Sequence, residues 1–558
     1  MANILIASLG ESPIVVTGTY LKVKEQIGTI DKIVVLHPEG FWIPKGYKMI
    51  EQVLKEECPV EAWPLPFEDA DTEEETFTFL RELFGLLSLF QSPEDHVYLS
   101  LAGGRKNMSA LMALAVPFFP HIKKLYHLLD RHEHTSRYNF KSIQTLSNIK
   151  NPIGLQRTML PPSQDLILVD IPFGPQEQAS DEFIEYLQHF TSKDLERMRE
   201  TEPRKAEIAE FYGWFYQPNT PKHILPVFVT EDIKNEYERM KTHNEPLASN
   251  FATCFEYMRS ATLLKGAIHD SQKGIVPGSG RSLHYHFYKR EGNTTERVFY
   301  HTEPGDIYSY PGNKTPVERV IISGLAKHKT RTTYEPTREE LLKRSLAAQG
   351  EIDAGKQGPY KVESLFPKDS ILLVPLGTTP MIATQLYVLL KRCLGRIIHE
   401  VILFYPEEQE KLRTSATLVV EAFEGMPVVC TRVRIPGLRD IDSTFACETY
   451  QRTLEEKIRE VRNKHPYWSI DLALSGGRKG MTAMAMFAAQ KAGLPYLYHT
   501  LISDKELDKK VQLETDLKIL NGGISKKVSH SRLFLDAYRD NLDKFSLFKV
   551  PVVPAREI

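Results

Sequence analysis

Cysteine is scarce in this sequence and follows no metal-binding pattern. Only five cysteines occur among 558 residues, and none belongs to a CxxC pair. Such usage is typical of a reducing compartment and argues against a disulfide framework and a zinc ribbon. No uninterrupted apolar run approaches about 18 residues, and the first residues, MANILIASLG, lack the features of a signal peptide. We therefore expect a cytoplasmic protein without a membrane partner.

An excess of charge of either sign is also missing. Lysine and arginine number 70 against 72 acidic residues, a formal net charge of −2. The overall field therefore attracts neither nucleic acid nor an anionic membrane, and any basic site must be local. A 558-residue chain of ordinary globular composition, 42% hydrophobic, is long enough for several domains.

An internal repeat organises the sequence. Residues 4–20 (ILIASLGESPIVVTGTY) align without gaps to residues 371–387 (ILLVPLGTTPMIATQLY), with seven of 17 positions identical. Residues 99–110 (LSLAGGRKNMSA) match residues 472–483 (LALSGGRKGMTA) in the same order. A Leu-Tyr-His sequence follows each GGRK block at nearly the same distance. Three ordered matches indicate a duplicated domain.

Each copy alternates apolar β-branched runs with helical stretches. This order predicts a parallel sheet with helices on both faces, a Rossmann-like α/β fold. Ligands of such sheets bind beyond the carboxyl ends of the strands, where both repeated turns are expected. The repeat therefore predicts two equivalent ligand-facing edges.

The GGRK turns suit a phosphate. Glycines at a strand-to-helix junction let backbone amides approach a ligand, the helix N-terminus favours an anion, and Arg-Lys adds charged donors. For one such turn a structural role, with glycines needed only for packing, is the slightly better explanation. Recurrence in two copies favours two half-sites for one ligand with two-fold symmetry. GxxxxGK[ST] and GxGxxG are absent, so neither ATP hydrolysis nor NAD chemistry is expected.

Together, the LGxxP strand-turn and the GGRK loop resemble CARF domains, the CRISPR-associated Rossmann-like sensors of cyclic oligoadenylates. The resemblance implies a cyclic oligoadenylate, most simply cyclic tetra-adenylate, as activating ligand across paired domains, in an intramolecular pseudo-dimer or a homodimer. It implies no cofactor and no metal. Ala102 replaces the serine of the second copy, so the half-sites are not equivalent. The residues implied at the ligand are Ser8, Gly10, Glu11, Ser12, Gly103, Gly104, Arg105, Lys106, Gly377, Thr378, Thr379, Ser475, Gly476, Gly477, Arg478 and Lys479.

The region between the copies has a different character. Residues 222–350 contain a predicted strand, two helices, several β-rich segments and a closing helix, which indicates a compact α+β domain. Basic and histidine side chains on its strands could attract RNA and supply the acid, base and charge stabiliser of transesterification. A sheet with a solvated basic face fits the composition equally well. His284-x-His286 has no further ligand at suitable spacing, so zinc is not predicted.

The element order and the basic strands resemble RelE and HigB-type mRNA interferases. In that family basic residues, often with a tyrosine, cleave mRNA in the ribosomal A site. The resemblance implies catalytic roles for His284, His286, Arg297, Lys327, His328, Lys329, Arg331 and Tyr334. Histidines stand where the family commonly has lysines, which leaves the general base open. A HEPN nuclease is disfavoured, because the RxxxxH match ending at His286 is predicted on a turn and strand rather than a helix.

The predicted architecture is α/β, with two Rossmann-like CARF domains flanking a central α+β RelE-like domain and a helical connector. The predicted boundaries are 1–160 for the first CARF domain, 161–221 for the connector, 222–350 for the RelE-like domain, 365–525 for the second CARF domain and 526–558 for a C-terminal tail. The implied function is that of a CRISPR type III ancillary effector, whose cyclic oligoadenylate activates a metal-independent endoribonuclease on the ribosome.

Two other functions stay open. A ring nuclease would degrade the cyclic oligoadenylate and leave the central domain structural. A ligand-responsive regulator would contact DNA through residues 181–215, but the segment AEIAEFYGWF is not a basic recognition helix.

Overall fold

The fold is that of a computed structural model. It describes residues 2–174 except 41, 91, 93, 102 and 132–139, and residues 368–552 except 395, 475, 495, 503, 516 and 518–543. Between these ranges it describes 227–229, 231–244, 247–248, 251, 273–275, 284–286, 296–308, 317–328, 334–335, 337, 339–340, 343–344 and 347.

The amino-terminal unit is a six-stranded sheet in the order β3-β2-β1-β4-β5-β6. The first five strands pair in parallel, and β6 runs antiparallel to β5. Its strands are β1 (Ala2–Ser8), β2 (Lys32–Pro38), β3 (Val60–Leu65), β4 (Asp95–Ser100), β5 (Ile122–Asp130) and β6 (Leu166–Ile171). Its helices are α1 (Ile14–Ile27), α2 (Ile43–Leu54), α3 (Glu73–Ser88), α4 (Lys106–Ala115), α5 (Ile143–Ser147) and α6 (Pro152–Met159). The central strands are buried apolar runs, as expected for a parallel sheet covered on both faces.

The carboxy-terminal unit repeats this topology. Its sheet has the order β15-β14-β13-β16-β17-β18, again with only the last strand antiparallel. The strands are β13 (Lys368–Pro375), β14 (Arg396–Pro406), β15 (Val429–Ile435), β16 (Ser469–Ala473), β17 (Tyr496–Ile502) and β18 (Phe545–Pro551). The helices are α8 (Met381–Leu394), α9 (Glu410–Phe423), α10 (Thr444–Lys464), α11 (Lys479–Ala492) and α12 (Lys505–Thr515). The Rossmann-like α/β prediction is confirmed for both repeated parts.

Both sheets extend past the boundaries expected from the sequence. Strand β6 lies beyond residue 160, where a connector was predicted, and β18 lies inside the predicted tail of residues 526–558. Each is an antiparallel edge strand that pairs with the preceding strand of its sheet, from which it is separated by more than 30 residues of sequence. Its place is set by tertiary pairing, which short-range periodicity does not reveal.

The central unit contains a mainly antiparallel sheet. Its order is β12-β11-β10-β9-β8 with antiparallel pairing, and β7 adds to β11 in parallel. The elements are β7 (Val227–Val229), α7 (Glu231–His243), β8 (Lys273–Ile275), β9 (His284–His286), β10 (Glu296–Tyr308), β11 (Val317–His328) and β12 (Tyr334–Glu335). Helix α7 is one of the two helices predicted for this domain. The second predicted helix, the predicted connector from residue 175 and residues 351–364, which lie between the two predicted domains, are largely or wholly outside the described residues.

The two Rossmann-like units share one hydrophobic core. A single cluster of buried residues includes Met108 and Ala110–Ala115 of α4 together with Met481 and Ala483–Ala489 of α11. Small side chains let these two helices approach closely. Thr444 at the start of α10 also donates to the Asp170 carbonyl oxygen of β6 at 2.9 Å. Within the described part of the chain, no helix combines the length and apolarity needed to span a membrane.

Candidate functional site at the junction of the two Rossmann-like units

Each first turn lies directly against the glycine loop of its own unit. An added Cβ on Gly103 would stand 1.6 Å from the Ser8 carbonyl oxygen, and Ser8 Oγ donates to the Gly103 carbonyl oxygen at 2.9 Å. In the other unit a Cβ on Gly377 would lie 2.1 Å from the Gly476 carbonyl oxygen. Glycine is therefore required at these backbone contacts, whatever the loops bind.

The two GGRK loops meet where the units pack. Lys479 Nζ donates to the Gly103 carbonyl oxygen of the other unit at 2.5 Å. Burial, followed by the positive charge of Lys106, lowers the pKa of Lys479 to about 7. Lysines that are 373 positions apart in the sequence thus lie close enough to repel each other.

A histidine from each unit lies at this junction. Burial, then the charges of Lys106 and Arg105, lower the pKa of His499 to about 3. The repeat equivalent, His127, lies 3.5 Å from the point that a Cβ on Gly480 would occupy, at the start of α11. Both histidines are buried. The repeated Leu-Tyr-His sequence was a visible signal, although no role was predicted for it.

The junction therefore brings together partly buried positive charge from both units. Lys106 repels Lys479, Lys106 and Arg105 act on His499, and burial disfavours the charged forms of Lys479 and His499. An anion placed there would relieve the repulsion and raise the pKa of Lys479. The arrangement is suited to a polyanionic ligand contacted by both units.

The arginines of the two loops point back into their own units. Arg478 donates through Nε to Asp440 Oδ1 at 3.2 Å and through Nη2 to Asp440 Oδ2 at 2.5 Å. Arg105 binds Asp69 in the same side-on manner, with Nε–Oδ1 at 3.0 Å and Nη2–Oδ2 at 2.5 Å. Sequence reasoning missed both aspartates, although Asp-x-Asp followed by Thr or Ser recurs at residues 69–72 and 440–443.

The remaining predicted ligand residues are held mainly by their own units. Ser12 Oγ donates to the Phe140 carbonyl oxygen at 3.1 Å, and the exposed Glu11 accepts the Ile143 amide at 2.8 Å through its own carbonyl oxygen. The Thr378 carbonyl oxygen accepts the Leu517 amide at 3.1 Å. Gly10, Gly104, Thr379 and Gly477 lie in the same turns and loops. Ser475 and Ala102 lie outside the described residues.

An open cleft of about 520 Å³ adjoins the junction. It lies between the carboxyl end of β5 in one unit and the carboxyl ends of β14 and β15 in the other. These are the edges where ligands of Rossmann-like sheets bind. Both units contribute to its walls. The lining residues are Leu129, Asp130, Arg131, Ile167, Glu408, Gln409, Glu410, Lys411, Arg439, Asp440, Asp442 and Arg478.

The predicted nuclease residues lie on neighbouring strands of the central sheet. His286 pairs with Val298, Lys327 with Glu296, and His328 with Tyr334. Arg297 pairs with Ala326, and His284 with Tyr300.

Strand residues alternate between the two sheet faces, so these ladder positions form two groups. One face of the sheet contains the ladder positions of His284, His286 and Lys327. The other face contains those of Arg297, His328 and Tyr334. Lys329 and Arg331 lie outside the described residues. The described residues contain no group of three or more His, Cys, Asp or Glu placed to hold a metal.

The comparison with protein families decides what kind of protein this is. The profile of the CRISPR-associated protein NE0113 family matches residues 12–202 and 379–558, more than half of the chain. The chain belongs to this family. The NE0113 match takes in both Rossmann-like units except their first strands, β1 and β13, and leaves out the central sheet.

No curated protein matches the chain. Among solved structures it is similar to a type III CRISPR defence DNA nuclease activated by cyclic oligoadenylate, with 12% identity, a TM-score of 0.36, and coverage of 90% of this chain and 66% of that one. It is also similar to Csm6 of Enterococcus italicus bound to cyclic hexa-2'-fluoro-hexa-dAMP, with 10% identity, a TM-score of 0.23, and coverage of 46% of this chain and 62% of that one. A third similar structure is VC1899 of Vibrio cholerae, with 9% identity, a TM-score of 0.20, and coverage of 77% of this chain and 94% of that one. The chain thus spans just under two thirds of the first two structures, and TM-scores this low assign it neither ligand nor activity.

Proposed function

We propose that this CRISPR-associated chain is a CARF–RelE effector, in which a cyclic oligoadenylate activates a ribosome-dependent endoribonuclease. The ligand, most simply cyclic tetra-adenylate, would bind where the two Rossmann-like units meet. The observation that carries the ligand class is the meeting of the two GGRK loops, where Lys479 of one unit lies beside the Gly103 carbonyl oxygen of the other and is repelled by Lys106. A ring of phosphates with approximate two-fold symmetry matches that pseudo-symmetric charge.

The proposed control is a two-state shift. Contacts to both loops at once favour one relative arrangement of the two units, and the tethered central unit becomes competent in that arrangement. Because the units pack within one chain, one chain would supply a complete ligand site. A homodimer that pairs like units is the other arrangement, and gel filtration with light scattering distinguishes the two.

The central sheet would carry the cleavage. In ribonuclease transesterification the 2'-hydroxyl attacks the adjacent phosphorus, the P–O5' bond breaks, and no metal is needed when basic groups move the protons. The candidate residues fall on two faces of this sheet, and only one face would be active. That face would use either His284, His286 and Lys327 or Arg297, His328 and Tyr334. Separate alanine substitutions in each group would identify that face.

Primer extension on mRNA held in purified ribosomes tests the proposal, with cyclic tetra-adenylate added or omitted. We expect cuts only when ribosomes and the nucleotide are both present, and their loss in Lys327→Ala or in His328→Ala, according to the active face. An mRNA that stays intact while the nucleotide is consumed would contradict the interferase and leave a ring nuclease.

A ring nuclease is the second candidate, supported by Lys479. A lysine with a pKa of about 7 is neutral in part of the molecules at physiological pH. In the fraction of ligand complexes in which Lys479 stays neutral although the phosphates raise its pKa, it would accept the proton of a ligand 2'-hydroxyl as that oxygen attacks the neighbouring phosphorus, so ligand consumption would rise with pH. Lys479→Arg, which stays charged, should then keep ligand binding and lose ligand consumption.

A further inference from the structure

The arginines of the two GGRK loops belong to a contact that is repeated in both units. Each occupies the N-cap position of its helix, with φ and ψ of −75° and 162° at Arg105 and −64° and 152° at Arg478. Each binds an aspartate of its own unit side-on. The two aspartates, Asp69 and Asp440, are the first residues of the repeated Asp-x-Asp sequence that precedes α3 and α10.

The aspartates are fixed independently of the arginines. Asp69 Oδ1 accepts the amide of Ala70 at 2.9 Å, and Asp440 Oδ1 accepts the amide of Ile441 at 2.8 Å. The carboxylates are therefore oriented by their own turns before the guanidinium binds. In the amino-terminal unit Asn107 Nδ2 also donates to the Ala70 carbonyl oxygen at 3.0 Å, which ties the start of α4 to the same turn.

Adjacent residues of the loop thus point in opposite directions. The arginine points into its own unit, whereas Lys479 points across the junction to Gly103. A guanidinium that binds a carboxylate side-on has one edge fully used, and a phosphate competing for that edge must displace an anion. Arg478 and Asp440 are only 19% and 16% exposed, so water screens their attraction weakly.

We propose that Arg105 and Arg478 brace the GGRK loops, that Asp69 and Asp440 are positioning residues for the ligand site, and that the lysines supply the phosphate contacts. This inference rests on the proposed function, since it divides the roles within the proposed ligand site. It reverses the simplest expectation from the sequence, in which arginine and lysine of each loop both hold phosphate.

The salt dependence of binding separates a brace from a phosphate contact. Affinity of the full chain for cyclic tetra-adenylate is measured at several KCl concentrations. Each lost phosphate contact makes the negative slope of log K against log salt less steep, by at most the value of about 0.7 that holds for single-stranded nucleic acid. Lys479→Gln should therefore make the slope less steep, whereas Arg478→Gln should weaken binding and leave the slope unchanged.

The Asp440→Asn variant tests whether Arg478 braces the loop or binds phosphate itself. A brace predicts binding roughly tenfold weaker, the scale of one lost charge-assisted hydrogen bond. Tighter binding by Asp440→Asn, or a slope reduced by Arg478→Gln as much as by Lys479→Gln, would overturn the inference, because both results mean that the freed arginine binds phosphate. In the other unit Arg105 and Asp69 are 42% and 40% exposed and Arg105 also pairs with Asp71 at 2.9 Å, so Asp69→Asn and Arg105→Gln should act in the same direction with smaller effects.

A ligand-free measurement keeps the brace separate from the proposed function. A double-mutant cycle on thermal unfolding with Arg478→Gln and Asp440→Asn should show that the double variant loses less stability than the two single losses together. Additive losses would overturn the brace. If the native chain fails to bind the nucleotide while the cycle shows coupling, the proposed function fails and the brace stands.

Discussion

Lys479 shows how strongly position changes the chemistry of one residue. Its pKa of about 7 compares with 10.5 for an ordinary lysine, owing first to burial and then to Lys106. From about pH 10 down to 7 the unfolded chain takes up a proton that folded Lys479 does not, so stability falls over this range. A bound anion reverses that effect, because it favours the charged form. Ligand binding is therefore expected to draw a proton into the protein.

Under the proposed function, affinity for cyclic tetra-adenylate should decrease as the pH rises from about 7 to 9, by at most about tenfold per pH unit for one coupled proton. The phosphates stay ionised throughout, so Lys479 sets the trend. Calorimetry in buffers of different ionisation enthalpy measures the proton uptake directly. In Lys106→Gln the decrease should shift to higher pH, since a repelling charge is gone. Lys479→Gln should bind weakly without this pH dependence, and an unchanged pH profile in that variant would contradict the assignment.

At the scale of elements, the first turn and the glycine loop are in backbone contact, and a single added Cβ atom would disrupt that contact. A Cβ on Gly103 would overlap the Ser8 carbonyl oxygen at 1.6 Å, which no side-chain movement relieves. Gly154 in α6 is different, because an added Cβ would meet its nearest neighbour, Ile149 Cγ2, at an ordinary 3.4 Å. The same substitution thus has opposite consequences in a loop and in a helix.

Gly103→Ala should lower the free energy of unfolding by more than about 3 kcal/mol, the upper range of overpacking costs. Gly154→Ala should leave it unchanged or raise it by up to about 1 kcal/mol, because alanine favours a helix interior. Urea denaturation followed by circular dichroism measures both. Equal effects of the two substitutions would mean that the first turn and the glycine loop are not in contact.

A buried ion pair lies at the amino-terminal end of the second sheet. Asp471 accepts a hydrogen bond from Ser370 Oγ and pairs with Arg396 at 3.3 Å, with side chains 2% and 6% exposed. Asp471→Asn removes the carboxylate that pairs with this buried arginine and should cost about 3–5 kcal/mol. Lys457→Met, which removes the helix-surface pair with Glu460, is the control and should cost less than about 1 kcal/mol. Similar shifts in thermal unfolding for both variants would rule out the burial of this pair.

How far the sequence predicts the molecule differs between elements and sites. The repeat predicts the parallel strands and the GGRK turns, because both depend on local patterns of apolar and glycine residues. It does not predict β6 and β18, whose positions depend on pairing with distant strands. Nor does it predict that Lys479 reaches Gly103, because packing of α4 on α11 is a tertiary property.

At the scale of the whole molecule, strand β13 joins the candidate ligand site to the central unit. Its carboxyl end leads to the turn at Gly377, and at its other end Asp369 pairs with Lys241 of α7 at 3.3 Å. His399 Nε2 approaches the same carboxylate at 2.6 Å, from a bulge in β14. The first copy has Ala2 at the position of Asp369, so only the second copy makes this contact.

Under the proposed function, Lys241→Ala should bind cyclic tetra-adenylate normally and lose most of its nucleotide-dependent mRNA cleavage. The lysine contacts the sensor strand and not the loops, so the two activities should separate. Binding assays together with primer extension measure both. Lys457→Ala is again the surface control, and the charge reversal Lys241→Asp with Asp369→Lys should restore part of the activation. Full activation in Lys241→Ala would mean that coupling runs elsewhere.

Under the proposed function, the core shared by α4 and α11 affects how the response depends on the amount of protein in the cell. Two sensor halves on separate chains meet at a rate and to an extent set by protein abundance, whereas halves joined in one folded chain are always together. The threshold for a signal then depends on the concentration of the small molecule alone. A cell that holds few copies of this protein would respond at the same signal level as one that holds many.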